Sequence, residues 1–441
     1  MANFAKPDGP RFSVDVYQNE YLPEGGSQVD AIVTVTASGG GTLGGAPAPG
    51  RPSAAVAVMV DCSGSMDYPP AKMRGAREAT AAAIDTLRDG TRFAVIGGTH
   101  VAQEVYPGGG RLAVADATTR EQAKQALRRL SAGGGTAIGT WLRLADRLLS
   151  AADVTIRHGI LLTDGRNEHE SPEELRATLD ACAGRFTCDA RGVGTDWDVK
   201  EVTGVASALL GTADIVADPA GLAADFTRMM ETAMGKEVAD VALRVWTPLG
   251  ATLRFVKQVA PAVEDLTHRR TGAGPRAGDY PTGSWGDESR DYHLSVTVPP
   301  AGLGQEMLAA RVSLVVPQPD GTVQNLGAQG LVRAVWTDDM AASTAMSPQV
   351  AHYTGQAELA QAIQQGIDLR KAGDFDGATA KLGRAVQLAD ASGNADTAKL
   401  LAKVVDVVDA ATGTVRLKTR VTEADEMTLE TRSTKTVRVK K

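Results

Sequence analysis

Cysteine is scarce in this chain. The 441 residues contain three, Cys62, Cys182 and Cys188, an odd number and too few for a disulfide framework, which points to a reducing compartment. Long apolar runs are lacking as well. Nowhere are there about 18 consecutive apolar residues, the length that spans a bilayer, and the first residues, MANFAKPDGPRF, hold no apolar stretch of signal-peptide length. The expected location is therefore the cytoplasm. Excess positive charge is missing too: 46 Lys and Arg stand against 53 Asp and Glu, a formal net charge of -7. Electrostatics thus give no reason to expect nucleic acid or an anionic membrane as a partner.

Several catalytic signatures are also absent. The six histidines (His100, His158, His169, His268, His293, His352) show no paired zinc spacing, and no H-E-x-x-H occurs. The glycine-rich segments lack G-x-x-x-x-G-K-[ST], GGGTAIG does not meet G-x-G-x-x-G, and no G-x-S-x-G surrounds Ser63 or Ser65. A non-enzymatic protein is expected. What remains is a globular composition with 43% hydrophobic and 22% charged residues and 48 glycines, enough chain for two to four domains at roughly 100 to 200 residues each. The Ala/Gly-heavy usage looks like that of a GC-rich bacterial genome.

The hydrophobic period changes along the chain. FSVDVY (12–17) and VDAIVTVTA (29–37) alternate as half-buried antiparallel strands. SGGGTLGGAPAPGRPS (38–53) is Gly/Pro-rich and reads as a mobile connection, so residues 1–53 hold two strands and a linker. From 54 to 236, short runs apolar throughout (AAVAVMV, RFAVIG, HGILLTD) alternate with helical stretches, which predicts a doubly wound, Rossmann-like α/β domain. Residues 237–340 return to alternation (Val241, Leu243, Val245; Leu294, Val296, Val298; Val312, Leu314, Val316) and read as a β-sandwich. The two N-terminal strands are expected to complete it, with the α/β domain inserted.

From 355 to 411 the period is helical (Leu359, Ile363, Ile367; Phe375, Ala378, Leu382, Val386; Leu401, Val404, Val405, Val408). AGDFDGATAKLGRAV resembles part of a tetratricopeptide-type hairpin, but only about one and a half units are present, so a docked hairpin or small bundle is expected. Such a segment either engages a partner or covers a sandwich face. Residues 412–441 are charged and Thr-rich and read as a tail that is wholly or partly disordered, with Thr431, Ser433 and Thr434 open to phosphorylation.

The chemistry-bearing residues sit at predicted strand ends. VAVMVDCSGSM leaves a buried strand with Asp61, Ser63 and Ser65 at alternating positions; SAGGGTAIGTWL offers Thr136 after three glycines, and GILLTDG offers Asp164. In a doubly wound sheet the carboxyl edge of the strands is where ligands bind. Two carboxylates and three hydroxyls form an all-oxygen set suited to a hard cation, Mg²⁺, Mn²⁺ or Ca²⁺. Taken alone, D-x-S-x-S is also what a helix N-cap and turn look like.

The set Asp61, Ser63, Ser65, Thr136, Asp164, together with DCSGSM, LLTDG and GVGTDWDVKEV (192–202), resembles the von Willebrand factor type A family and its metal-ion-dependent adhesion site over about 180 residues. The resemblance implies that Ser63, Ser65 and Thr136 coordinate the metal directly while Asp61 and Asp164 act partly through water. It also implies that a partner protein's Asp or Glu completes the coordination. Met66, Asp67, Gly135 and Asn167 are then the expected partner-facing residues; for Asp67 and the NEHE run at 167–170 a plain solvated loop is the competing reading, and Cys62 reads as a packed thiol. The implied role is an intracellular adaptor in a regulatory or AAA+ ATPase-linked assembly, with a second partner on the C-terminal helices. A surface adhesin and a phosphorylation-controlled scaffold are the alternatives.

Overall fold

The computed structural model describes residues 10–39, 54–318 and 321–439; all but the first two residues of the Gly/Pro-rich connection at 38–53 lie outside them. The described residues form two compact units, one of 54–239 with 283–286, the other of 11–39, 240–282 and 287–439.

In the first unit the strand Ala54–Asp61 is central. Val56, Val58 and Val60 alternate with Ala55, Ala57 and Met59, and all six are fully buried, so both faces of the strand are covered, which is why its sequence reads as an unbroken apolar run. The sheet runs in the order Ala213–Val216, Thr187–Val193, Ile156–Thr163, Ala54–Asp61, Arg92–Gly98, Ala102–Tyr106, with Ala113–Val114 also paired to Arg92–Gly98. The first five of these strands are parallel and Ala102–Tyr106 is antiparallel. On one face Val56, Val58 and Val60 share a core with Met73, Ala76 and Ile84 of the helix Ala71–Thr86 and with Phe226 and Met230 of the helix Leu222–Met234. Against the other face lies Ile138–Ser150, whose Ile138, Leu142, Ala145 and Leu149 recur at helical spacing and are all buried. From Ala54–Asp61 the chain passes first to Arg92–Gly98 on one side and later to Ile156–Thr163 on the other. The switch between those directions opens a crevice at the carboxyl ends of Ala54–Asp61 and Ile156–Thr163.

The second unit holds a β-sandwich and the C-terminal elements. Gln28–Ser38 pairs with Glu288–Thr297 over a register running from Gln28 opposite Thr297 to Ala37 opposite Glu288. The N-terminal strands thus complete a sheet whose other strands follow residue 240, and the α/β segment is inserted between them. A six-stranded sheet built around Glu306–Pro317 and Val323–Trp336 faces it; at Gly330 the two approach so closely that a Cβ would fall 2.6 Å from a Val16 methyl.

The helices Pro348–Lys371 and Phe375–Ala391 form a hairpin continued by Ala395–Val404, around a core of Leu359, Ile363, Ile367, Leu382, Val386 and Leu401. Tyr353 packs on Ile32, Val259 and Ala260 of the sandwich, so the first turns of this hairpin cover a sheet face. Three positions differ from the helical reading: Phe375, the first residue of its helix, is 61% exposed, and Val405 and Val408 leave the helix for a ribbon strand, Val405 buried and Val408 59% exposed.

The expected tail is a further correction. Thr414–Leu417 pairs with Val405–Asp409, Glu423–Arg432 is helical with Leu429 fully buried, and Glu430 meets Lys371 at 2.7 Å. Residues 434–436 bond the sandwich through Val263 N to Thr434 O and Thr436 N to Pro261 O. Arg438 grips the buried Asp291, which also accepts from Thr34 and Tyr353. Thr431 and Ser433 are buried, and the Ser433 hydroxyl donates to Glu430 O; neither is open to a kinase in this fold, which removes the basis for a phosphorylation-controlled tail at those two positions.

Candidate metal centre

Asp61 ends its strand with its side chain fully buried. Its Oδ1 accepts the Ser63 backbone N–H at 2.8 Å, an Asx-type turn that bends the chain and brings the Ser63 and Ser65 hydroxyls within 2.9 Å of each other. Ser65 donates to Asp164 Oδ1 at 2.6 Å; with its single proton spent there, Ser63 is the donor between the serines. Asp61 Oδ2 accepts from Thr163 Oγ1 at 2.6 Å and from the Asp164 N–H at 3.4 Å. The two strand ends are therefore joined through their carboxylates.

The glycine loop is laced onto this turn by backbone bonds, Gly64 N to Gly134 O at 2.9 Å and Gly133 N to Cys62 O at 2.8 Å. Gly134 has φ +80°, a conformation that favours glycine, and a Cβ on Gly135 would fall about 2.0 Å from the His169 ring. Thr136 follows, buried, at the start of Ile138–Ser150. The free N–H groups of that helix start are met by Asn167 Oδ1, which takes Ile138 N at 2.7 Å, and by Glu170 Oε2, which takes Gly139 N at 2.8 Å. Trp141, donating to Thr99 O at 2.6 Å, lies so close over Gly98 that no Cβ fits there.

All five sequence-predicted ligands thus come to one place, and they fit a hard divalent cation. A Cβ built on Gly165 would lie 3.1 Å from Ser65 Oγ, 3.3 Å from Thr136 Oγ1 and 3.7 Å from Ser63 Oγ. The three hydroxyls surround one small cradle that a side chain at position 165 would crowd. Two buried carboxylates stand behind it, and every donor is oxygen. Among the described residues no group of three or more His, Cys, Asp or Glu is arranged to hold a metal, and a cation at this edge would need the hydroxyls as ligands.

The residues expected to face a partner divide. Asp67 is exposed and Gly135 half-buried under His169. Met66 is fully buried in the core beneath the turn, and Asn167 is buried with its amide spent on Ile138 and Glu170; both brace the site from within. Within NEHE, Glu168 and His169 are exposed, whereas the Glu170 side chain is 4% exposed. Sequence reasoning missed Lys72. Its ammonium lies 2.7 Å from Asp164 Oδ2 and 2.9 Å from Asp196 Oδ2, and its signal was a lone lysine at the start of the helix after D-x-S-x-S.

The electrostatics are those of a site short of positive charge. Burial, offset in part by hydrogen bonds from Ser63 and Thr163 and reinforced by the charge of Asp164, pushes the Asp61 carboxyl up to about 6. Burial likewise pushes the Cys62 thiol up to about 12, so it stays protonated and packed. Burial opposes the charge of Lys72, but hydrogen bonds to Asp164 and Asp196 outweigh it and raise its pKa.

Comparison with known proteins agrees with this fold. Residues 54–215 match the von Willebrand factor type A domain, and residues 387–433 match the von Willebrand factor type A C-terminal domain. A solved structure described as von Willebrand factor type A from Catenulispora acidiphila is 50% identical, with TM-score 0.92, over 100% of this chain and 99% of that one. The ArnB paralog VWA2 from Sulfolobus acidocaldarius shares the fold at 13% identity and TM-score 0.59, over 96% and 98% of the two chains. No curated protein matches. The chain belongs to the von Willebrand factor type A family.

Proposed function

We propose that this protein binds a divalent cation of the Mg²⁺ class through Ser63, Ser65, Thr136, Asp61 and Asp164, and uses it to capture a carboxylate of a partner protein. The observation that carries this reading is the convergence of three hydroxyls on the Gly165 cradle with two buried carboxylates behind them. A bound divalent cation would supply an open coordination position for an anionic oxygen from outside. The chain's own residues do the rest: Ser63, Ser65 and Thr136 offer neutral oxygens, the two aspartates, acting partly through water, screen the double charge only incompletely at the ion itself, and the backbone lacing holds the geometry. The reading is of an adaptor without enzymatic activity, serving an AAA+ ATPase-linked or regulatory assembly, with the C-terminal helices available to a second partner. Among the described residues no helix is long and apolar enough to cross a membrane.

The test is capture from native lysate in Mg²⁺ with elution by EDTA, run beside a Ser63→Ala, Ser65→Ala variant. Partners released by EDTA and absent from the variant are the expected result. Partners held equally by both proteins, and not released by EDTA, would overturn the proposal.

A further inference from the structure

Lys72 is the unusual charge at this site. It is 7% exposed, yet its ammonium reaches two carboxylates at once, the buried Asp164 at 2.7 Å and the exposed Asp196 at 2.9 Å, and approaches Ser65 O at 3.5 Å. Asp164 Oδ1 is taken by Ser65, while its Oδ2 pairs with this ammonium. The site therefore balances two buried carboxylates with one cation of its own. That cation stands on the very aspartate expected to serve a metal.

We infer that Lys72 is a tethered counter-charge that competes with the metal for Asp164 and passes to Asp196 when a divalent cation binds. The inference rests on the metal reading proposed above. An ammonium and a divalent cation a few ångströms apart repel strongly in a partly buried site, and they share one carboxylate. An ammonium is a compact point charge on a flexible stem; sitting within 2.9 Å of Asp196 Oδ2 already, it needs only a small shift to leave Asp164. Asp196 lies in the loop after the strand Thr187–Val193 and two residues before Asp198, which caps the helix Val199–Ala208. Metal binding is thereby tied to the position of that loop.

Two consequences follow. With Lys72 in place, metal affinity is set below what five oxygens alone would give, so the site loads and unloads reversibly. Without metal, Asp164 is not left as an unpaired buried charge, so the empty site stays folded.

The test is a double-mutant cycle on the full chain, with Mn²⁺ binding followed by the electron paramagnetic resonance signal of the free ion and thermal unfolding followed in EDTA. Lys72→Met is expected to tighten Mn²⁺ binding about tenfold or more and to lower the melting temperature of the metal-free protein. Asp196→Asn, an exposed position, is expected to weaken binding about threefold in the Lys72 background and by less than half that effect, on a logarithmic scale, in the Lys72→Met background. Should Lys72→Met fail to fold, Lys72→Gln and the single Asp196→Asn variant carry the same directions. Unchanged or weaker Mn²⁺ binding on loss of the lysine charge, or an Asp196 effect equal in both backgrounds, overturns the inference while leaving the metal site standing. No Mn²⁺ binding by any of the proteins would remove the metal reading and the inference with it.

Discussion

The two edges of the parallel sheet each bury carboxylates, and they treat them in opposite ways. At the amino edge, Asp189 receives His158 Nε2 at 2.9 Å, the Thr212 N–H at 2.7 Å and the Thr212 hydroxyl at 2.6 Å, with Arg191 nearby. Burial opposes its charge, but His158, Arg191 and Thr212 together outweigh burial and hold its carboxyl well below the usual range. At the carboxyl edge, Asp61 also receives hydrogen bonds, yet the neighbouring charge acting on it is the negative one of Asp164, and its carboxyl is pushed up to about 6. Both carboxylates are buried, and the unequal charge balance is what distinguishes them: one is neutralised within the fold, the other is the kind of perturbed group that functional sites hold.

Breaking the saturated edge should have the largest effect. Asp189→Ala leaves His158 Nε2 and the Thr212 N–H and hydroxyl without their acceptor and is expected to cost about 3–5 kcal/mol of stability, the range for removing one partner of a buried pair, with no change in metal affinity. A urea titration beside a Mn²⁺ titration reads both quantities. A cost under about 1 kcal/mol, as for an ordinary surface change, would erase the distinction between the edges. The open edge should behave conversely. Ser63→Ala with Ser65→Ala is expected to weaken Mn²⁺ more than about 100-fold, beyond the loss on removing an outer-shell partner, while stability in EDTA falls by only about 1–3 kcal/mol, the cost of leaving Asp164 Oδ1 without its donor. Calorimetric titration and melting in EDTA check the two halves.

The open edge was the more legible in the sequence. An unbroken apolar run ending in D-x-S-x-S could by itself be a turn or cap, but with Thr136 after three glycines and Asp164 at a second strand end it marked one edge of the sheet. What lay outside local pattern was tertiary. Met66 reads as a loop residue, but a single turn of 3₁₀ helix at Gly64–Asp67 rotates it into the core. Asn167 and Glu170 read as solvated until the N–H groups opening Ile138–Ser150 are seen to need acceptors. The chain after 412 reads as disordered because its apolar content is low. Its order comes from partners some sixty residues earlier in sequence, Lys371 for Glu430 and Arg370 for Glu426, and from Asp291 for Arg438, which no window of sequence contains.

The same contrast has a sign in pH. The folded-state value of Asp61, about 6, lies above the ordinary 3.8, so its contribution to stability is fully present below about pH 4 and is lost as pH rises through 6. The folded value of Asp189 lies below 3.8, so its contribution is present above that value and is lost only as the solution becomes strongly acidic. Metal-free protein should therefore lose stability from pH 4 to pH 6.5 through Asp61, and Mg²⁺ should restore it, because cation and proton compete for the same carboxylate. The gain in melting temperature on adding saturating Mg²⁺ is expected to be larger at pH 7 than at pH 5. An equal gain at both values would mean that Asp61 plays no part in holding the ion.

The smallest effect expected is at Asp67, and it separates holding the metal from meeting a partner. Its carboxylate is exposed beside the turn, where water and salt screen it. Asp67→Asn should therefore change Mn²⁺ affinity less than about threefold. A partner carboxylate arriving at the site would nevertheless meet that charge on the outside of the metal, so removing it should speed association in low salt and matter little in high salt. Association rates of a captured partner at two ionic strengths measure this directly. Should Asp67→Asn instead weaken Mn²⁺ tenfold or more, the carboxylate is a ligand, and the contrast between a neutral hydroxyl cradle in front and buried carboxylates behind no longer describes the site.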